Sequence, residues 1–191
     1  QRQMCIRDRS EDTAASWVWD VPDFEGFDQV PGDRAWYTDL PAGVPGYHEE
    51  SWIQSPCFDL SRSRRPLIQM DIMKSFVPGI NGAAIQYQDV LEEGWKTIGQ
   101  VGEGMEWYNV AGLINQPGGS SFGWGLEGLF VPDRKWVTAM HDLDALAGNP
   151  HVRFRVIIST NGRQEIGNQG FAFDNFKLAE RTRRTILEHF T

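Results

Sequence analysis

A recurring alternation of large apolar residues with mainly polar ones constrains the fold of this chain most. From Val152 to Ser159, large apolar residues stand at every second position. A period of two is that of a β-strand with one buried face. The same alternation recurs from Leu67 to Val77 and from Ala83 to Gln88. These strands fit antiparallel sheets, because a parallel sheet covered on both faces needs continuous apolar runs.

Turn signals separate the alternating runs. The 20 glycines and 10 prolines are scattered along the chain, many in Pro-Gly or Asn-Gly pairs. Helical segments are expected only at Leu143–Ala147, which is barely a turn, and at Glu180–His189. The sequence therefore predicts an all-β, two-sheet antiparallel sandwich with a long irregular connection from Gly99 to Gly128.

The last strand contains a break in parity. Phe171 and Phe173 share one face, whereas Phe176 and Leu178 share the opposite parity. A β-bulge at Asp174-Asn175 would return both pairs to the core, because a bulge adds one residue to a strand.

Length and charge exclude several classes of protein. A chain of 191 residues that is 40% hydrophobic can bury the core of one domain. No stretch approaches the roughly 20 apolar residues of a transmembrane helix, so no membrane span is expected. The formal net charge of −8 argues against nucleic acid as a partner, because nucleic-acid-binding proteins carry a basic surface.

Several sequence segments, in this order, resemble the MAM-like jelly-roll modules of large bacterial secreted and surface proteins. The resemblance rests on Trp17 and Trp19, residues 35–40 (AWYTDL), 51–60 (SWIQSPCFDL), 84–87 (AIQY), 94–95, 107–109 (WYN), 152–155 (VRFR) and 170–176 (GFAFDNF).

This resemblance implies a jelly roll of the concanavalin-like or galactose-binding-like kind. It further implies a non-catalytic binding or adhesion module, secreted or at the bacterial cell surface, with a glycan or a cell-surface protein as partner. The sequence differs from animal MAM domains, which have paired cysteines. A structural spacer beside a catalytic domain of the same polypeptide is the alternative function, and a glycosidase-type enzyme is a third.

The two ends of the chain have features of their own. Residues 3–9 (QMCIRDR) match the translation of the DNA string CAG ATG TGT ATA AGA GAC AG, which resembles a sequencing adapter. We therefore expect residues 1–9 to be non-native, in a gene fragment of metagenomic type, the alternative being an ordinary disordered terminus. Residues 10–178 are expected to form the sandwich. Residues 179–191 are expected to be a linker followed by either a short helix or the first strand of a truncated thioredoxin-like domain, which residues 184–191 resemble.

Enzyme signatures are missing from the sequence. There is no Gly-x-Ser-x-Gly elbow, His-Glu-x-x-His pair or phosphate-binding glycine loop. Cys57 lies among apolar residues and is expected to be a buried, inert thiol. These observations favour a protein that is not an enzyme.

Aromatic residues are the candidate ligand-binding groups. Sugar-binding modules stack sugar rings on exposed tryptophan or tyrosine side chains, and five residues lie in or beside predicted turns and loops: Tyr47, Trp52, Trp107, Tyr108 and Trp124. The alternative is that these aromatics fill the core of the sandwich.

A structural Ca²⁺ site is expected where the first and last strands meet. Hard oxygen ligands suit this ion, and Asp23, Glu25 and Asp174 are the candidates. In the alternative, Asp174 only accepts hydrogen bonds from backbone N–H groups at the bulge.

Overall fold

The computed structural model describes residues 15–22, 34–40, 48–76, 78–126, 135–161 and 170–181. The segment 1–9, Asp23, Glu25, Tyr47 and the tail 182–191 lie outside these ranges, so their assignments stay predictions. The described strands are β1 (Trp17–Asp20), β2 (Ala35–Thr38), β3 (His48–Gln54), β4 (Pro66–Ser75), β5 (Gly82–Asp89), β6 (Lys96–Thr97), β7 (Val110–Ala111), β8 (Phe122–Gly123), β9 (Val137–Asp142), β10 (Val152–Asn161) and β11 (Gly170–Glu180).

The strands form two main sheets. One has the order β1-β2-β11-β4-β9, the other has the order β3-β10-β5-β6, and a separate hairpin pairs β7 with β8. All of the pairings are antiparallel. Without β1 and the β7-β8 hairpin, eight strands remain, which can be renumbered 1 to 8 in chain order. The first sheet then has the order 1-8-3-6 and the second has the order 2-7-4-5. This is the strand order of a jelly roll, so the predicted fold class is confirmed.

The core lies between the two main sheets. Its members are the inward-facing residues of the alternating runs, which include Ile68, Met70, Ile72, Ile85, Phe154, Val156, Phe171 and Phe173. Tyr87 and Phe176, also expected to be mostly buried, are partly exposed and pack against the edge of this core.

The bulge in β11 is present where the parity break predicted it. The pairing of β11 with β4 shifts register between Asp174 and Lys177, and Asn175 has a φ of 51°. As a result Phe176 returns to the core side, where its ring lies 5.9 Å from that of Phe154 and 6.1 Å from that of Phe58.

Helix is scarce in the described ranges. The segment expected at Leu143–Ala147 forms a 3-10 turn over Asp144–Leu146, and a second 3-10 turn spans Pro117–Gly119. No helix in the described ranges has the length and apolar character needed to cross a membrane. Glu180 belongs to β11, so a helix does not begin there.

The expectation that Cys57 is buried was wrong. Its side chain is exposed, and the neighbouring Phe58 is the residue that packs against the core. Phe58 also forms a bridge with Val152, with Phe58 N donating to Val152 O at 2.7 Å. Because Phe58 takes the inward position, Cys57 points away from the core.

Candidate functional site

Four polar side chains lie in one row across the outer face of the β3-β10-β5-β6 sheet. The register places Arg155 of β10 opposite both Gln54 of β3 and Gln86 of β5, and Gln86 opposite Thr97 of β6. Arg155 faces outward because its neighbours Phe154 and Val156 fill the core.

The guanidinium of Arg155 is held on several sides. Its Nε and Nη2 donate to Gln86 Oε1 at 2.8 and 2.6 Å. Its Cζ lies 4.8 Å from the ring centroid of Trp52 in β3 and 4.5 Å from that of Trp95, which directly precedes β6. Both distances are within the range of cation–π contacts. We refer to Trp52, Gln86, Trp95 and Arg155 together as the Arg155 clamp.

Gln86 is the buried side chain that holds the Arg155 guanidinium in place. Its side chain is 1% exposed, and its Nε2 donates to Thr97 Oγ1 at 3.2 Å and to Gly118 O at 3.0 Å. The turn that contains Gly118 packs on β5 and β10. A Cβ at Gly118, where φ is +58°, would lie 2.5 Å from Gln86 Oε1. Glycine therefore permits the close approach that fixes the amide.

Burial affects the electrostatics of the clamp. Desolvation lowers the pKa of Arg155 to about 10, while the carboxylate of Glu50 acts in the opposite direction. That pKa is still well above neutral pH, so the guanidinium stays charged. A charge partly removed from water interacts more strongly with a ligand than a fully solvated one does.

Three further polar side chains surround the clamp. Arg153 stands opposite Gln88 in the next row of the same face, and Gln54 flanks Arg155 on β3. All three are partly exposed. Within the described ranges, the side chains of Arg153 and Gln54 form no hydrogen bond. The face therefore presents donors and acceptors to solvent beside two indole rings.

The structure places the predicted ligand-binding aromatics in different environments. Trp52 belongs to the clamp and is partly exposed. Trp107, Tyr108 and Trp124 are in the core, at 3%, 3% and 0% exposure. Their polar atoms are also engaged: Trp107 Nε1 donates to Ile98 O at 2.9 Å, Trp124 Nε1 donates to Glu106 O at 3.1 Å, and the Tyr108 hydroxyl bonds to Ile85. Burial thus takes these three side chains out of the candidate binding surface.

A second aromatic pair lies at the edge of the other sheet. The rings of Trp19 in β1 and Trp36 in β2 are 5.3 Å apart, and Trp19 is 42% exposed. Among the described residues no charged side chain stacks on this pair, and its charged neighbours in the sequence are the ion-paired Asp20 and Arg34. This exposed pair, which lacks a stacked guanidinium, provides control positions for experiments on the clamp.

Asp174 lies at the bulge, as expected, opposite Asp71 of β4. The Asp71 carboxylate accepts hydrogen bonds from Thr138 Oγ1 at 2.6 Å and from Asn175 Nδ2 at 2.8 Å. Among the described residues, no group of three or more His, Cys, Asp or Glu side chains is placed to hold a metal ion. The proposed partners Asp23 and Glu25 are outside the described ranges, so the calcium site stays a prediction.

Sequence reasoning missed most of the clamp. The alternation already placed Arg153, Arg155 and Gln86 on the face opposite the core. It could not show that β10 lies between β3 and β5, and only that neighbourhood brings Trp52 and Trp95 to the same guanidinium.

Comparisons with known proteins give little further information. No protein-family model matches the chain, and no curated protein matches it either. The crystal structure of the K1 cleaved adhesin domain of Lys-gingipain from Porphyromonas gingivalis W83 is similar, with a TM-score of 0.40 and 13% sequence identity over 88% of this chain and 89% of that one. A similarity this low establishes neither fold nor function for the present chain.

Proposed function

We propose that this β-sandwich is a non-catalytic binding module of a secreted or cell-surface bacterial protein, and that it binds a carbohydrate on the face of the Arg155 clamp. One observation carries the proposal: two partly exposed indoles, Trp52 and Trp95, share one partly buried guanidinium beside several amide side chains.

The chemistry of the clamp suits a sugar. A sugar offers C–H surfaces that pack on indole rings and hydroxyl groups that both donate and accept hydrogen bonds. Binding sites of this kind combine apolar or aromatic surface with a few fixed polar groups. Gln54 and Gln88 provide donors and acceptors, and Arg153 and Arg155 provide donors.

The clamp is also rigid before any ligand arrives. Arg155, Gln86 and Trp52 are on strands, and Gln86 is buried with both of its polar atoms engaged. Side chains that are already ordered lose less conformational entropy on binding, which favours affinity.

Binding fits this face better than hydrolysis does. A glycosidase needs two carboxyl groups about 5–9.5 Å apart. Among the strand positions described here, the outward ones on this sheet carry a single carboxylate, that of Glu50. The other outward side chains are amides, guanidiniums, an indole, the imidazole of His48, Ile157 and small groups, so these positions hold no second carboxyl group for the carboxylate pair of a glycosidase.

A glycan array tests the proposal. The intact chain is compared with Trp95→Ala, which removes half of the aromatic contact, and with Trp19→Ala as the matched control on the other sheet. We expect binding by the wild type, a loss of about tenfold or more in Trp95→Ala, equivalent to about 1.4 kcal/mol, and unchanged affinity in Trp19→Ala.

Circular dichroism of each variant verifies that the fold is kept. A correctly folded wild-type chain that binds no glycan would refute the proposal and support a structural spacer. Equal loss of affinity in the two tryptophan variants would remove the clamp as the binding surface.

A further inference from the structure

Resting on the proposed function, we infer that the sugar bound at the clamp carries an anionic group, a carboxylate or a sulfate ester, which is held by the open edge of Arg155 with Arg153 as a second cation. The aromatic contacts alone leave the class of glycan open, and the two guanidiniums narrow it to acidic sugars.

Arg155 has donors to spare. Arginine carries five N–H groups in a rigid fork. The Nε–H and one Nη2–H are directed to Gln86 Oε1, at 2.8 and 2.6 Å. No described residue accepts a hydrogen bond from Nη1, and the side chain is partly exposed. The remaining N–H groups match the two oxygens of a carboxylate or sulfate, which arginine binds in bidentate fashion.

Arg153 adds a second positive charge nearby. It is two residues from Arg155 on the same face of β10, a separation of about 7 Å along the strand. It is partly exposed and forms no ion pair with any described residue. One anionic group between these two guanidiniums would gain from both.

The acidic groups around the clamp offset this charge only in part, and the Glu50 carboxylate is the one that acts on the pKa of Arg155. Glu50 is paired with Ser159, four residues along β10 from Arg155, so the backbones are about 13 Å apart along the strand. Arg153 is one row further from Glu50. On the β6 side, Glu92 is engaged with Lys96, whose Nζ lies 2.7 Å from Glu92 Oε2.

The overall charge limits how acidic the ligand is. The chain has a net charge of −8, so it repels a polyanion at long range, and two guanidiniums offset only part of that. A mostly neutral glycan with isolated anionic sugars fits better than a uniformly charged polymer. The indole rings of Trp52 and Trp95 offer the stacking surface that the C–H face of a sugar ring uses, so we assign the anion to a glycan.

The test is a glycan array in which every acidic glycan is printed beside its neutral counterpart: uronates beside their methyl esters, and sulfated sugars beside desulfated ones. Poly-glutamate is printed as the acidic peptide. We expect the intact chain to bind the acidic glycans with about tenfold or more higher affinity than their neutral partners. The two kinds of pair separate a carboxylate from a sulfate ligand.

Arg153→Gln should weaken binding of the acidic glycans several-fold more than binding of their neutral partners, because it removes a charge as well as hydrogen-bond donors. Arg34→Gln, on the other sheet, is the matched control and should change neither. Tighter binding of neutral glycans, or equal binding of poly-glutamate, would overturn the inference. The proposed carbohydrate binding is tested separately, by the Trp95→Ala variant. A chain that retains no glycan at all would overturn both.

Discussion

The hydroxyl of Tyr108 bonds to both backbone groups of Ile85: it donates to Ile85 O and accepts from Ile85 N, each at 3.0 Å. Ile85 lies in β5 at the end of its pairing with the short strand β6, where Ile98 N also donates to Ile85 O at 3.1 Å. The tyrosine hydroxyl therefore satisfies the Ile85 N–H where the pairing with β6 ends. Burial raises the pKa of Tyr108 well above its usual range, so the hydroxyl keeps its proton.

Tyr108→Phe should destabilise the fold by about 1–3 kcal/mol. The substitution keeps the ring but removes the acceptor of the Ile85 N–H, and a buried donor without a partner carries that cost. Urea unfolding followed by tryptophan fluorescence measures the difference. Tyr87→Phe is the control, because the Tyr87 hydroxyl has no hydrogen-bond partner among the described residues. Equal stability of the two variants would show that the Tyr108 contact contributes nothing.

Gly118→Ala should weaken ligand binding at the clamp, because the new Cβ would displace the Gln86 amide that holds Arg155. Gly119→Ala is a close control: Gly119 also has a positive φ, +79°, but a Cβ there meets no atom within 4 Å. Both variants should lose similar stability from backbone strain, and only Gly118→Ala should lose about tenfold in affinity. Matching affinities, measured by calorimetry, would mean that Gln86 does not position the guanidinium.

Glu180 gives the fold a pH dependence near its C-terminal strand end. The Ser63 hydroxyl and the backbone N–H groups of Arg65 and Arg64 donate to its carboxylate and hold the Glu180 pKa below its usual range. A depressed folded-state pKa stabilises the fold above the unfolded value of about 4.3, and that stability is lost as pH falls through the folded pKa.

Glu180→Gln should therefore lower the melting temperature at pH 7 and flatten its decline between about pH 5 and pH 3. Thermal melts across this range compare it with Glu93→Gln, an exposed glutamate in the loop before β6. The same decline in Glu180→Gln and wild type would contradict the assignment.

Since β11 continues to Glu180 and Arg181 bonds to Asp144 and Arg65, a chain ending at Leu178 should also melt lower than one ending at Arg181.

We propose that Ca²⁺ binds beside Asp174, with Asp23 and Glu25 as further ligands and Asp71 as a nearby carboxylate. An ion that binds only the folded state raises the melting temperature with its concentration. Millimolar Ca²⁺ should raise the melting temperature and a chelator should lower it. Asp174→Asn should abolish the response, and Asp39→Asn, an exposed aspartate, should retain it. Superimposable melts with calcium and with chelator would leave Asp174 as a hydrogen-bond acceptor at the bulge.

The sequence predicted the strands better than the site. Alternation around Phe154 and the parity break before Phe176 located the inward faces and the bulge, because each depends on residues close in the chain. The sequence left open whether Trp107 and Trp124 are exposed or fill the core, because a long irregular connection can bury its aromatics as readily as expose them, and both are buried. The clamp depends on the register of β10 with its two neighbours, which no local pattern encodes.

The most direct test of the central claim locates the ligand. The intact chain is labelled with ¹⁵N, and its tryptophan indole N–H resonances are followed by NMR while the tightest-binding glycan from the array is added. The account predicts shifts of the Trp52 and Trp95 resonances, with those of the buried Trp107 and Trp124 unchanged. Shifts at Trp19 and Trp36, with none at Trp52 and Trp95, would contradict it and place binding at the edge of the other sheet.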